Sequence, residues 1–183
     1  MTLDDFKLRY EKKAVIHYPN NVKNNPLVSI CITTYQHEKY ISQCIDSILA
    51  QSADFNYEIL IGEDESIDNT RDICINYANK YPETIRLFLH HRMNNIKIND
   101  IPTGRFNLLY NLYLAKGKYI AICEGDDYWL SEDKLSKQIK IIENENAGTI
   151  MSDYFFLKGS NLIPSNKMIE NNADHYPIKL NEL

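Results

Sequence analysis

The chain has 183 residues, of which 44% are apolar and 25% are charged, and its formal net charge is −5. This length and composition are typical of one soluble globular domain that is large enough to build a hydrophobic core. The negative charge argues against a nucleic-acid-binding protein, which would usually present a basic surface.

Residues 1–26 are polar and end in an asparagine-rich stretch, so we predict an extension and linker rather than core. Within this segment Lys7, Arg9, Lys12 and Lys13 stand among apolar residues. That pattern leaves two interpretations open: a surface helix that contacts a partner or an anionic membrane, and a helix packed loosely on the domain. No signal peptide is expected, and no apolar run approaches the ~20 residues of a membrane helix.

From residue 27 onward, strand and helix patterns alternate. Apolar, β-branched runs predict strands at residues 27–33, 57–61, 85–90, 118–123 and 149–157. Apolar residues at helical spacing predict helices at residues 38–50, 68–81, 105–115 and 131–143, with Asp68 and Ser131 as N-caps. Near-continuous apolar strands that alternate with helices are typical of a mostly parallel sheet covered on both faces. The sequence therefore predicts an α/β fold.

The cysteines argue against a zinc or redox motif, because no two of them form a C-x-x-C pair. The four are Cys31, Cys44, Cys74 and Cys123. Two fall in predicted buried strands and two on predicted helices. We therefore expect reduced thiols that act as small core residues, in a reducing compartment.

Polar side chains follow the first two predicted strands at the points where those strands end. Thr33, Thr34 and Tyr35 follow the first strand, where they can bind a ribose and lie against a base, or form a simple turn. Asp64 follows the second strand, where a carboxylate can accept the imide N–H of a uracil ring or belong to a polar loop. Ligands of such sheets bind beyond the carboxyl ends of the strands, so these residues form a candidate site.

Three carboxylates crowd the end of the fourth strand, namely Glu124, Asp126 and Asp127. Two like charges about 4 Å apart repel by roughly 4 kcal/mol at an effective dielectric constant of about 20. Mg²⁺ and Mn²⁺ prefer carboxylate oxygens and often share them with phosphates, although a solvated acidic turn is the alternative. No glycine-rich phosphate-binding loop occurs, so phosphates would be held through a metal, and Arg105 could face a diphosphate.

Four segments, taken in order, resemble the family 2 glycosyltransferases, which have the GT-A fold. Residues 28–35 resemble the opening strand and nucleotide-binding turn, and residues 115–120 resemble the "A-x-G-x-Y-I" segment. Residues 63–70 resemble the acidic "DDGSTDxT" segment, with Glu63 in place of the first Asp and Glu65 in place of Gly. Residues 124–127 occupy the DxD position.

The resemblance implies a nucleotide-diphosphate-sugar donor, first of all a UDP-sugar, with Mn²⁺ or Mg²⁺ on its phosphates. By position it implies nucleotide-binding roles for Thr33, Thr34, Tyr35, Asp64, Arg105 and Asp126. It implies metal binding by Asp127, Asp126 and Glu124. Family members mostly invert the anomeric centre, and a carboxylate takes the proton of the acceptor hydroxyl. In the family that base lies well downstream, so we expect it to be absent from this chain, with Asp153 as a candidate.

The activity implied is transfer of a sugar to a glycan or lipid-linked acceptor, in bacterial-type surface polysaccharide synthesis. The implied location is the cytoplasm, with peripheral association at the inner face of the cell membrane as a variant. We expect residues 27–158 to form the nucleotide-sugar-binding domain and residues 159–183 to form a tail or the start of the acceptor region. The chain would then be truncated or an unusually short member.

Two alternatives stay open. A sugar-nucleotidyltransferase shares a similar sheet and metal chemistry, but a glycine-rich loop with Arg and Lys should follow its first strand, and residues 33–37 contain none of these. A non-catalytic nucleotide-sugar-binding module is favoured by the short C-terminal part, while the acidic cluster argues against it. Slow hydrolysis of a UDP-sugar with Mn²⁺ would distinguish an enzyme from a binding module.

Overall fold

The structure is a computed structural model that describes residues 1–23, 25–158 and 161–165. The chain divides into two compact units, Met1–Glu132 and Asp133–Leu183. The tail or acceptor region predicted for residues 159–183 lies almost entirely outside the described residues. None of the described helices combines the length and the apolar character that crossing a bilayer requires.

The first unit alternates strands and helices, as predicted. Its helices are α1 (Leu3–Tyr10), α2 (Ile41–Leu49), α3 (Thr70–Lys80) and α4 (Arg105–Leu114), with a 3₁₀ turn at Arg92–Asn94. Its strands are β1 (Ile16–His17), β2 (Val28–Thr34), β3 (Tyr57–Glu63), β4 (Ile85–Leu89), β5 (Lys97–Ile98), β6 (Ile101–Pro102) and β7 (Tyr119–Glu124). The second unit contains α5 (Lys134–Glu145) and the strands β8 (Phe155–Lys158) and β9 (Asn161–Pro164).

The central sheet confirms the mostly parallel α/β prediction. Within the described residues it has five strands in the order β1-β4-β3-β2-β7. Strands β4, β3, β2 and β7 are parallel, and β1 pairs antiparallel with β4 at the edge. Successive residues Ile59, Leu60 and Ile61 are all fully buried, so both faces of the sheet are covered at β3. At β7 one face is open, since Ile120 and Ile122 are about half exposed, and the predicted covering of both faces does not extend to this strand.

The strand order reverses at β2, and this reversal fixes where a ligand can bind. From β2 the chain passes to β3 and β4 on one side, and it later returns to β7 on the other side. Neighbouring connections that leave a strand in opposite directions open a crevice beyond the carboxyl ends of the strands. The crevice between the ends of β2 and β7 is therefore the expected binding position.

The first 17 residues contribute to the core, which corrects their prediction as an extension rather than core. Phe6 of α1 is fully buried with Leu60, Phe88, Phe106 and other residues in one hydrophobic cluster. Its ring stacks on that of Phe106, with 5.1 Å between centroids. The segment is polar on average, so its composition does not reveal the apolar side chains that pack into the core, Phe6 and Val15. Of the two interpretations left open, the packed helix describes α1.

Three further predictions, one strand and two N-caps, differ from the structure. A fifth parallel strand was predicted at residues 149–157, but only Phe155 onward forms a strand, and β8 pairs antiparallel with β9 in the second unit. The apolar run there is exposed rather than buried, so apolar content alone misplaced it. Ser131 is not the N-cap of α5, which begins at Lys134. Asp68 lies one residue before the N-cap of α3, although its Oδ1 accepts a hydrogen bond from the N–H of Thr70 at 3.0 Å.

A buried polar network holds the turn before β7, at the amino edge of the sheet. Ser29 donates to Glu58 at 2.7 Å, and Arg86 donates to the other oxygen of that carboxylate at 3.0 Å. The N–H of Gly117 donates to the Ser29 hydroxyl at 2.8 Å. A Cβ on Gly117 would lie 2.5 Å from the backbone nitrogen of Ser29, so this close approach requires glycine. Here the "A-x-G-x-Y-I" segment has a structural role.

All four cysteines are buried free thiols, as predicted for core residues.

Candidate functional site

The loops after β2, β3 and β7 meet at the carboxyl edge of the sheet. The N–H of Asp64 donates to the carbonyl of Thr34 at 3.0 Å, and the N–H of Gly125 donates to the carbonyl of Thr33 at 2.9 Å. The end of β2 thus holds Asp64 on one side and the acidic turn of residues 124–127 on the other. These predicted residues lie together at the crevice that the strand order defines.

Asp64 is buried, yet only one of its carboxylate oxygens is in use. Its side chain is 4% exposed, and its Oδ2 accepts hydrogen bonds from Arg92 Nη1 and Asn95 Nδ2, both at 2.9 Å. Its Oδ1 is buried without a hydrogen-bond partner among the described residues. Burial raises the pKa of Asp64, and the bonds from Asn95 and Arg92 oppose that rise. A buried acceptor without a partner is costly unless a donor reaches it, so Oδ1 suits a ligand N–H.

Arg92 links Asp64 to residues of the loops after β2 and β3. Its guanidinium carbon lies 3.7 Å from the centroid of the Tyr35 ring, and its backbone N–H donates to Glu65 Oε2 at 2.9 Å. Sequence reasoning missed Arg92 and Asn95 as site residues. A signal was available, because both follow the third parallel strand and ligands bind beyond strand ends.

Glu63, which stands at the first acidic position of the "DDGSTDxT"-like segment, is fully occupied by the fold. Its carboxylate pairs with Arg71 and accepts the N–H of Ser66 at 2.7 Å. Arg71 also donates to the carbonyl of His90 at 3.0 Å. Glu63 therefore fixes the loop after β3, and Asp64 is the carboxylate beside it that keeps an unused oxygen.

The acidic turn after β7 presents its carboxylates to solvent. Glu124, Asp126 and Asp127 are exposed, and the N–H of Asp127 donates to the Glu124 carbonyl at 3.0 Å. Burial and the neighbouring charge of Asp126 raise the pKa of Asp127, and His37 lowers it. His37 Nε2 lies 3.9 Å from Asp126 Oδ2. The turn thus concentrates negative charge at the mouth of the crevice.

Gly125 lets the acidic turn approach the end of β2. A Cβ there would lie 2.7 Å from Thr34 Oγ1 and 2.9 Å from His37 Nδ1. Distances below 3.0 Å essentially never occur for real Cβ atoms, so any side chain would displace the turn. Thr34 Oγ1 and His37 Nδ1 also contact each other at 3.3 Å, which keeps this junction rigid.

The acidic turn fits a divalent ion that is completed by a ligand's phosphates. No group of three His, Cys, Asp or Glu side chains converges to hold an ion within the part of the chain that the structure describes. Mg²⁺-type sites usually take one or two carboxylates plus substrate phosphates rather than a cage of protein ligands. Burial and, after it, the negative charge of Asp126 raise the pKa of Asp127, and a cation at the turn would offset the repulsion between these two carboxylates.

Two predicted site residues are not joined to the three loops by a described contact within the first unit: Arg105 stands at the start of α4, and Asp153 lies in the second unit. Arg105 is exposed at the first residue of α4, and no described contact joins its side chain to the three loops. Asp153 belongs to the second unit, where its Oδ1 accepts the N–H of Tyr154 at 2.8 Å. Their predicted roles stay predictions.

Comparisons with known proteins match most of the chain to one family. The family described as "Glycosyl transferase family 2" matches residues 29–182. The chain is 35% identical, over 132 residues, to "UDP-Glc:alpha-D-GlcNAc-diphosphoundecaprenol beta-1,3-glucosyltransferase WfaP" of Escherichia coli, covering 72% of this chain and 47% of that protein. It is 37% identical, over 123 residues, to the uncharacterized protein Rv1520 of Mycobacterium tuberculosis, covering 67% of this chain and 33% of that protein.

A solved structure shows the same fold. The mannosyltransferase PcManGT from Pyrobaculum calidifontis, in complex with GDP-Man and Mn²⁺, superposes with a TM-score of 0.57 at 21% identity. The match covers 84% of this chain and 43% of that one. The chain spans between about a third and a half of the length of the curated relatives it matches.

Proposed function

Since the chain belongs to glycosyl transferase family 2, we propose that it binds a nucleotide-diphosphate sugar and transfers the sugar to an acceptor. One observation carries the proposal. The end of β2 holds a buried carboxylate with an unused oxygen, Asp64, on one side and an exposed acidic turn, residues 124–127, on the other. A nucleotide-diphosphate sugar has two parts that match these features. Its base carries N–H donors that suit Asp64, and its negatively charged diphosphate suits a cation held by the acidic turn.

In the nucleoside half, Asp64 Oδ1 accepts the imide N–H of uracil. Tyr35 and Arg92 provide flat surfaces for the base, and Thr33 provides a hydroxyl group for the ribose. Thr34 was predicted to do the same, but its hydroxyl is buried against His37. Uracil is the proposed base, and the name of the relative WfaP supports it because that name contains UDP-Glc. Guanine also presents N–H donors, and PcManGT was solved with GDP-Man. The choice between the two bases is therefore the first thing to measure.

In the diphosphate half, Asp127 and Asp126 hold Mn²⁺ or Mg²⁺, together with Glu124. Such a cation, when bound, neutralises the charge that builds on the departing diphosphate. Gly125 keeps these carboxylates close to the end of β2, and His37 lies beside Asp126. Arg105 remains a prediction from the family resemblance.

The acceptor in this proposal is a glycan or lipid-linked glycan of bacterial-type surface polysaccharide synthesis. The name of WfaP includes GlcNAc-diphosphoundecaprenol, which supports a lipid-linked acceptor. A location at the inner face of the cell membrane belongs to the proposal through the family resemblance alone. Transfer inverts the anomeric centre, and a carboxylate takes the acceptor's proton. Asp153 is the candidate base within this chain. The first unit, Met1–Glu132, forms the proposed nucleotide-sugar-binding domain, which starts before residue 27 because α1 and β1 belong to its core. Residues 159–183 begin the proposed acceptor region.

Thermal-shift measurements against UDP, GDP and their sugars, each with and without Mn²⁺, test the proposal. We expect a UDP-sugar with Mn²⁺ to raise the melting temperature and to be hydrolysed slowly without an acceptor. Binding without hydrolysis would favour the alternative of a non-catalytic nucleotide-sugar-binding module. A chain that no nucleotide stabilises, with or without the metal, would refute donor binding.

A further inference from the structure

Asn94 joins the N-terminal segment to the loop that holds Asp64. Its side chain is 2% exposed. Asn94 Oδ1 accepts the backbone N–H of Lys13 at 2.9 Å, and Asn94 Nδ2 donates to the carbonyl of Lys13 at 2.8 Å. Both polar groups of this buried amide thus hydrogen-bond to the backbone of one residue, which is 81 positions away in the sequence.

Asn94 stands between the two residues that hydrogen-bond to Asp64. The 3₁₀ turn contains Arg92 and Asn94, and the N–H of Asn95 donates to the carbonyl of Arg92 at 3.1 Å. Arg92 and Asn95 both donate to Asp64 Oδ2. A shift of Asn94 would therefore move both donors, and it would change which way the unused oxygen of Asp64 points.

The backbone of Lys13 is itself fixed on both sides. Before it, α1 is anchored by the buried ring of Phe6. After it, the N–H of Val15 donates to Glu11 Oε1 at 2.8 Å, and Ile16 of β1 pairs with β4. Asn94 consequently holds a segment that the core already immobilises, and it can act as a brace for the loop.

We propose that Asn94 is a positioning residue for the nucleoside half of the site. By clamping the backbone of Lys13, it fixes Arg92 and Asn95 against Asp64, and it thereby sets the affinity for the base of the nucleotide. The N-terminal segment, which the sequence suggested was outside the core, is in this way part of the nucleotide site. This inference rests on the proposed function.

Asn94 should affect binding of the base and not binding of the diphosphate, because the acidic turn is held by the end of β2 and not by the loop that contains Asn94. Calorimetry with two probes separates these halves. One probe is UDP or GDP, whichever the wild type binds more tightly, and the other is Mn²⁺ with inorganic pyrophosphate, which has no base. Displacement of the two donors that hold Asp64 should misplace Asp64 Oδ1, and loss of one hydrogen bond from the base to that oxygen predicts roughly tenfold weaker nucleotide binding for Asn94→Ala. Binding of the pyrophosphate probe is expected to stay unchanged.

Two control variants sharpen the test. Lys13→Ala should bind the nucleotide like the wild type, because Asn94 contacts only the backbone of Lys13. Ser29→Ala removes buried hydrogen bonds at the opposite edge of the sheet, so it should lower the melting temperature without changing either affinity. If Asn94→Ala does not fold, Asn94→Asp keeps the shape, cannot donate to the Lys13 carbonyl, and should show the same difference between the two probes.

Nucleotide affinity equal to wild type in a folded Asn94 variant would overturn the inference. Equal weakening of both probes would also overturn it, since that would indicate general damage to the fold. A wild-type chain that binds the pyrophosphate probe but no nucleotide would overturn the proposed function and this inference together. If the wild type binds a nucleotide and the Asn94 variant binds it with the same affinity, this inference alone is overturned.

Discussion

Arg92 lies over the ring of Tyr35, with its guanidinium carbon 3.7 Å from the ring centroid. A cation in this position contributes about 0.5–1 kcal/mol at an exposed site. The same guanidinium donates to Asp64 Oδ2 at 2.9 Å, so one side chain links the aromatic ring to the buried carboxylate. A base that enters beside Tyr35 therefore meets a flat cation and an acceptor that are already fixed in place.

Replacing Asp64 by Asn should weaken UDP binding by about tenfold or more, because hydrogen bonds to charged groups contribute ~1.5–3 kcal/mol. Isothermal titration calorimetry measures the change. Asp72→Asn is the matched control, since it makes the same substitution at an exposed position of α3. Equal affinities for wild type and Asp64→Asn would remove Asp64 from the base site.

Replacing Asp127 by Ala should abolish the Mn²⁺-dependent part of UDP binding and leave the melting temperature unchanged or raised. Burial and the charge of Asp126 raise the pKa of Asp127, so removing this carboxylate relieves repulsion in the fold. Calorimetry with and without Mn²⁺ gives the first quantity, and thermal unfolding gives the second. Asp54→Ala, at an exposed loop position, controls for the loss of one negative charge. Unchanged affinity in the presence of Mn²⁺ would remove the metal assignment.

The parallel core of the fold was predictable because each strand can be recognised from the apolar residues within its own segment of the sequence. Strands β2, β3 and β4 are nearly continuous apolar runs, and the helices between them show helical spacing. The contribution of α1 was not predictable in the same way. Phe6 is buried by residues such as Leu60 and Phe106, which are distant in sequence, and the polar residues around it hide that contact.

The candidate site shows the same division between local and distant signals. Asp64 and the acidic turn stand directly after strands, so the strand-end rule and the family resemblance both point to them. Arg92 and Asn95 belong to the site only through contacts with Asp64 that span 28 and 31 positions. Their position after β4 makes them candidates by the same strand-end rule, but which residues of that loop pair with Asp64 depends on the tertiary fold.

Replacing Gly125 by Ala should destabilise the fold by about 1–3 kcal/mol, as other insertions into packed sites do. The new Cβ would lie 2.7 Å from the Thr34 hydroxyl and 2.8 Å from its Cβ, neither of which can move far in a buried β-branched side chain. Displacement of the turn should also weaken Mn²⁺-dependent nucleotide binding. Urea unfolding and calorimetry measure the two effects.

Gly104 is the matched control for that substitution. Nothing lies within 4 Å of a Cβ at Gly104, and its φ of −71° suits any residue. Gly104→Ala gains from a less flexible unfolded chain and loses a favourable N-cap residue, so its net effect should be small. Equal destabilisation by the two substitutions would show that the contact with Thr34 is not the cause.

His90 should make the fold sensitive to mild acid. The imidazole is 2% exposed, it packs edge-on against Phe106 and Tyr110, and neither ring nitrogen has a hydrogen-bond partner among the described residues. Burial lowers its pKa from 6.5 to about 3, and the charges of His17 and Arg71 add to this shift. A folded pKa below the unfolded one means that the unfolded chain binds the proton more readily. Stability is therefore complete above the ordinary pKa and falls as the pH drops from there toward the folded value.

The free energy of unfolding should fall by about 1.4 kcal/mol for each pH unit well below the ordinary pKa of His90, because one more proton binds to the unfolded state. Urea unfolding at several pH values between neutral and mildly acidic measures this slope. In His90→Gln the side chain cannot titrate, so the slope should be smaller by this amount. His91→Gln is the matched control, since His91 is partly exposed beside Glu65 and the substitution is the same. If the free energy of unfolding of His90→Gln depends on pH as steeply as that of the wild type, another group takes up the proton. If His91→Gln reduces the slope equally, burial of His90 is not the cause of the pH dependence.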